Sequence, residues 1–176
     1  MSETQKALSN IEAKMVYIVV ANSIKQYCER IEAAGSLRRR RPEVNDIDIV
    51  LIPHKGCMDK IKEICLAFHP LIGPHKPPKW GERMASFRYK EVVGVDLYFA
   101  DEVTWPILWL IRTGSKEHNI HLCNQAKMQG MYLAADGSGL FKDRLKTEII
   151  PVASERDVFE NLRMPYLEPE DREIKK

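Results

Sequence analysis

Apolar positions along this chain follow two periods. In 46–52, DIDIVLI, acids and aliphatics alternate before the run turns wholly apolar, the pattern of a buried strand. Residues 4–33 keep helical spacing with one break, and Ile11, Met15, Ile18, Val19, Ala21, Ile24 and Cys28 fall largely on one face. Ala34-Gly35-Ser36 interrupts that pattern, with Ser36 placed to cap a helix that follows. Another helix is predicted over 57–68 through Met58, Ile61, Ile64, Cys65 and Phe68. HPLIGPHKPPKWGE, 69–82, carries four prolines and two glycines and predicts a loop. Residues 83–90 and 92–99 predict two strands joined tightly through Lys90 and Glu91. Helices follow over 103–112 and 116–129, parted by Thr113-Gly114-Ser115, and Gly130 stops the second. AADGSGLF, 134–141, is a turn between two short strands. A last helix over 155–162 has Ser154 as cap and Asp157 completing a capping box. This order predicts an α+β chain: a lobe with a mixed sheet flanked by helices over 1–102, and a small C-terminal lobe over 103–176.

Composition narrows the class only a little. The 44% apolar content over 176 residues supports a folded globule, and a net charge of +2 does not by itself announce a nucleic-acid binder. Local runs change that picture: Arg38 to Arg41 are contiguous, and Lys76, Lys79 and Arg83 form a looser group. Cys28, Cys57, Cys65 and Cys123 have no metal-ligand spacing and read as reduced thiols of an intracellular protein. No run reaches membrane-spanning length and no signal-peptide pattern opens the chain, so a soluble, cytoplasmic protein is expected.

The candidate chemistry lies on the strands. Residues i and i+2 of a strand project from one face about 7 Å apart. Asp46 and Asp48 therefore stand side by side, and a third acid, Asp96, is embedded in the apolar strand VGVDLYFA. Unpaired carboxylates repel, and burial raises their proton affinity. A divalent cation removes the conflict, and Mg²⁺ selects hard carboxylate oxygens together with substrate phosphates. The plainer alternative is that these acids cap a strand end or pair with Arg38 to Arg41. Gly35-Ser36 upstream weighs against it: a small residue lets backbone approach a phosphate, and Ser36 and Arg39 add donors.

Gly-Ser, then Asp-x-Asp, then a distant strand Asp resembles the signature of the nucleotidyltransferase superfamily. RTGSKEHN, AKMQGMYL, GLF and SERDVFENLRMPYLEPEDRE resemble the carboxy-terminal region of family X DNA polymerases, the polymerase-beta-like enzymes, in their bacterial form. The similarity runs from about residue 8 to residue 173. The resemblance implies a nucleotidyltransferase palm with fingers- and thumb-like elements in the second lobe. It implies that Asp46, Asp48 and Asp96 hold two Mg²⁺ ions, for which Mn²⁺ can substitute, and that Asp96 helps activate the primer 3′-hydroxyl. Gly35, Ser36 and Arg39 would grip the incoming triphosphate, Thr113 and Gly114 would face its sugar, and Asn119 its base. The implied activity is DNA-directed nucleotide addition in short-gap repair, on a primer–template or gapped DNA with dNTP, by a monomer.

The chain also departs from the family. It starts almost at the palm and ends after the thumb-like tail, so neither lyase nor exonuclease activity is expected. The aromatic pair that usually precedes Thr-Gly is replaced by Ile111 and Arg112. Arg112 leaves two readings open, relaxed selection between dNTP and NTP or an added phosphate contact. Lys79 and Arg83, beside WGER, are candidates for DNA phosphate contact, and His118 for contact with nucleotide or DNA. Lys6 reads as a helix-surface lysine, and Trp105 and Trp109 as core rather than stacking platforms. Two rival functions remain: a nucleotidyltransferase acting on RNA ends, a small molecule or a protein, and a non-catalytic module that binds DNA ends.

Overall fold

The alternation at 46–52 places one side of a strand in a core and leaves the other for chemistry. In the computed structural model, which describes residues 7–70 and 76–173, that strand is β4, Asp46–Pro53. Before it come β1 (Leu8–Ser9), α1 (Asn10–Ile24), β2 (Cys28–Ala33), α2 (Gly35–Arg38) and β3 (Glu43–Val44). After it come α3 (Met58–Leu66), β5 (Lys79–Trp80), β6 (Met84–Tyr89) and β7 (Val93–Phe99). Five of these strands form one sheet in the order β2-β4-β7-β6-β5. The β4–β7 pairing is parallel and the others are antiparallel, so the sheet is mixed. The fold is α+β, as the element order predicts.

Ile47, Ile49 and Leu51 of β4, Val95 and Leu97 of β7 and Ala85 and Phe87 of β6 all enter one core. Across it pack Ala13, Val16, Val20 and Ile24 of α1 and Ile61 and Cys65 of α3. Both buried thiols are held protonated: loss of solvent, followed by a neighbouring cysteine, pushes Cys28 up to about 11 and Cys65 to about 12.

Two expectations for the amino-terminal segment change. The helix ends at Ile24, and after a 3-10 turn at Lys25–Tyr27 the chain becomes β2, an edge strand. Its residues CERIEA leave Glu29, Arg30 and Glu32 toward solvent, so its polar side hides the strand pattern. On α1, Ile11, Met15, Ile18 and Val19 are exposed, while Ala13, Val16, Val20, Ala21 and Ile24 are buried. A helix apolar on most of its circumference has no single periodic stripe, and tertiary packing chooses which one is covered. Lys6 lies outside the described residues.

The chain divides after Phe99 into two compact units. The second contains α4 (Trp105–Thr113), α5 (Lys116–Met128), the hairpin β8 (Tyr132–Leu133) with β9 (Leu140–Phe141), and α6 (Glu155–Asn161). Its own core gathers Ile107, Leu110, Leu122, Leu133, Val158 and Phe159. Within it, the fully buried Arg172 forks onto both carboxylate oxygens of Glu155 at 3.1 and 3.0 Å. No helix among the described residues is long and apolar enough to cross a membrane.

Candidate active site

The register of β4 and β7 decides where the acids go. Asp48 pairs with Asp96 and Asp46 with Gly94 in parallel register, so all three carboxylates leave the face opposite the core. Ser86 of β6 stands opposite Asp96 on that same face. Asp46, Asp96, Ser86, Gly94, Asn45 and Lys76 line an open cleft of about 520 Å³. Loss of solvent first, and then the negative Asp96 carboxylate, push the Asp46 carboxyl above its ordinary range.

Asp48 is placed differently. Its Oδ1 accepts a hydrogen bond from the Tyr98 hydroxyl at 3.2 Å. Its other oxygen rests on Gly35, where an added Cβ would stand 2.8 Å from Asp48 Cγ and closer still to that oxygen. Gly35 also has φ +55°, so both conformation and space require glycine there. The sheet thus gathers three acids on one face, but no three acidic, histidine or cysteine side chains among the described residues converge as a ready metal cluster. The donors still suit a divalent cation: two carboxylates face one cleft, and their mutual repulsion is what such a cation relieves.

Gly35 and Ser36 open α2, directly after β2, and the Ala34 amide donates to the Asp48 carbonyl at 2.9 Å. The N-cap of this short helix is Ala34, without a side-chain bond, so Ser36 sits inside the first turn and is not the cap that its sequence position predicts. Arg39 closes the turn as C-cap. Lys79 opens β5, within the segment predicted as loop, and is exposed. Arg83 is exposed too, its carbonyl accepting the Phe99 amide at 3.0 Å. Lys76 is the cleft residue that sequence reasoning left as a general basic charge, because a proline-rich loop has no period to orient it.

In the second unit, the predicted nucleotide residues form one local network. α4 ends at Thr113, whose hydroxyl donates to the Trp109 carbonyl at 2.6 Å, and Gly114 turns the chain at φ 73°. Asn119 Nδ2 donates to the Ile111 carbonyl at 2.7 Å, tying α5 to the end of α4. Arg112 reaches the Asp136 carbonyl at 3.5 Å. Ser115 caps α5 through the His118 amide, and its hydroxyl donates to the Arg172 carbonyl at 2.7 Å. The carboxy-terminal tail therefore braces the Thr113–Ser115 turn, a link with no local signal in the sequence. His118, the candidate for nucleotide or DNA contact, is fully buried, its ring 5.7 Å from that of Phe159. Trp105 is core and Trp109 half-buried, their rings 5.8 Å apart.

Residues 108–173 match the family model described as DNA polymerase beta thumb. A curated relative, the DNA polymerase/3′-5′ exonuclease PolX of Bacillus subtilis (strain 168), is 27% identical over 153 residues. That match covers 82% of this chain and 24% of the relative, so the chain spans about a quarter of that protein's length. Two solved structures of Leishmania infantum polymerase beta, a ternary P/T complex and a ternary gap complex, share the fold with TM-scores of 0.80 and 0.81. Their identities to this chain are 21% and 20%, over 96% of it and over 77% and 71% of theirs. The chain is thus similar to the polymerase beta thumb over residues 108–173, and its fold is that of the polymerase beta structures.

Proposed function

We propose that this chain adds nucleotides to a primer 3′-hydroxyl under the direction of a DNA template, filling short gaps. The observation that carries the reading is the pair Asp46 and Asp96, facing one cleft from adjacent parallel strands, with Asp48 beside them on the same face. The similarity to the DNA polymerase/3′-5′ exonuclease PolX supports it. Asp46, Asp48 and Asp96 would hold two Mg²⁺ ions, with Mn²⁺ as substitute. When bound, such ions supply charge stabilisation to a transferring phosphoryl group. Asp96 orients the 3′-hydroxyl and accepts its hydrogen bond. Because Asp46 has a raised proton affinity, it must first lose its proton to serve, so activity rises as pH climbs through the carboxylate range.

Gly35, Ser36 and Arg39 grip the triphosphate, and the absence of a side chain at Gly35 keeps the Asp48 carboxylate close to that turn. Thr113 and Gly114 present backbone to the sugar, and Asn119 contacts the base. Arg112 takes the position of an aromatic residue and sets either the deoxy-to-ribo preference or a phosphate contact. Lys79 and Arg83 contact DNA phosphates, which position a duplex without reading its sequence.

The test is primer extension with Mg²⁺, dNTPs and NTPs on a one-nucleotide gapped duplex, an open primer–template and a single strand. Templated extension that Asp96→Ala abolishes is the expected result. Folded protein that extends no DNA would overturn the reading in favour of a transferase acting on RNA ends or a small molecule. Extension insensitive to Asp96→Ala would remove the acids from the mechanism.

A further inference from the structure

If Asp96 holds the primer 3′-hydroxyl, the sugar that carries it rests on the cleft face of the sheet around Asp96. The strand registers name its neighbours. Gly94 lies two residues before Asp96 on β7, beside Asp46 of β4. Ser86 of β6 pairs with Asp96 from the other side. Both are half-buried, and both line the acidic cleft, whose other lining residues are Asn45 and Lys76. No bulky apolar side chain stands among them. An added Cβ at Gly94 would meet open space, with no described atom within 4 Å beyond its two chain neighbours. Arg88, opposite Gly94 on β6, sends its guanidinium elsewhere, donating to the Glu91 carbonyl at 2.9 Å beside the turn between β6 and β7.

Ribose and deoxyribose differ only at C2′, one carbon from the 3′-hydroxyl. A site rejects the ribose by setting a clash, or a polar group it cannot satisfy, where the 2′-oxygen would stand. Around Asp96 that place is open over Gly94 and polar at Ser86, whose hydroxyl can donate to or accept from a 2′-hydroxyl. We propose that this cleft takes a primer whose last nucleotide is a ribonucleotide, with Ser86 bonding its 2′-hydroxyl and Gly94 leaving it room. The inference rests on the polymerase reading of Asp96 and extends it to the class of primer used. It is separate from the role given to Arg112, which concerns the sugar of the incoming nucleotide. Any reaction that adds a ribonucleotide to a 3′-hydroxyl leaves such an end, so that class of reaction supplies the substrate.

The experiment compares two gapped duplexes, identical except that the primer ends in a deoxyribonucleotide or in a ribonucleotide. The whole chain extends each with Mg²⁺ and dNTP, and kcat/KM is measured for both. The unsubstituted protein should use the ribonucleotide end as well as the deoxyribonucleotide end or better. Ser86→Ala should lower the ribo-to-deoxy ratio about fivefold, the effect of one neutral hydrogen bond. Gly94→Val, which fills the open space with a side chain suited to a strand, should lower that ratio about tenfold or more. A merely structural role for either residue would depress both primers together and leave the ratio unmoved. An unsubstituted protein that uses the ribonucleotide end about fivefold less well, or a ratio unmoved by Ser86→Ala, overturns the proposal, and these two measurements decide it even if Gly94→Val does not fold. Folded protein that extends neither primer overturns the polymerase reading itself, and this inference with it.

Discussion

Asp46 works against the stability of the chain that holds it. Burial and the Asp96 charge raise its proton affinity in the folded state above that of an ordinary unfolded carboxyl. The folded protein therefore holds that proton more tightly than the unfolded chain. As pH rises through the raised value, ionisation in the folded state becomes the more costly one, and stability is lost. Below the ordinary unfolded carboxyl value both states are protonated and the penalty vanishes. Asp46→Asn removes the titration: the variant should melt above the parent at neutral pH, by a margin that closes toward about pH 3. It should also extend no primer. Thermal melts across pH, paired with extension assays, check both halves, and an unchanged melting difference at all pH values would contradict the electrostatic account.

Whether an element was legible in the sequence depended on how local its causes are. α6 was fully legible because its start is a closed local device: the Ser154 hydroxyl accepts the Asp157 amide, and Asp157 bonds back to the Ser154 amide and hydroxyl. Ser154→Ala should cost about 1 kcal/mol in chemical denaturation. β4 and β7 were legible because their alternation and their acids are written in consecutive residues. β2 was not: its apolar Ile31 alternates with Arg30 and Glu32 on an edge, and its place is set by pairing with β4. The exposed side of α1, with Ile11 and Met15, was misread because several stripes of that helix are equally apolar. Three acids on one face followed from sequence spacing plus resemblance, while the contacts of Asp48 with Tyr98 and Gly35 needed the structure. The burial of His118 beside Phe159, from a distant helix, had no local signal in the sequence.

At the scale of the whole molecule, net charge hides what local charge can do. With +2 overall, the proposed binding to DNA would draw on localised cations such as Lys79 and Arg83. Binding to a gapped duplex should weaken roughly tenfold or more between about 50 and about 200 mM salt, with a shallower slope in Lys79→Ala. A flat response, read by fluorescence anisotropy, would exclude phosphate contacts as the source of affinity. The parallel pairing of β4 with β7 has a kinetic side as well. Asp48 and Asp96 meet only after α3, the proline-rich segment and β6 have been spanned, and contacts between distant residues form slowly. β2 and β4, joined by a short connection, and β6 and β7, joined by a tight turn, can each form from neighbours in sequence. The seam between those two halves joins the residues farthest apart in sequence, and the acidic cleft lies across that seam. A chain without the residues from 93 onward would hold the Gly35 turn and two of the acids, yet could not assemble the cleft: the acidic face needs the longest-range pairing of the sheet.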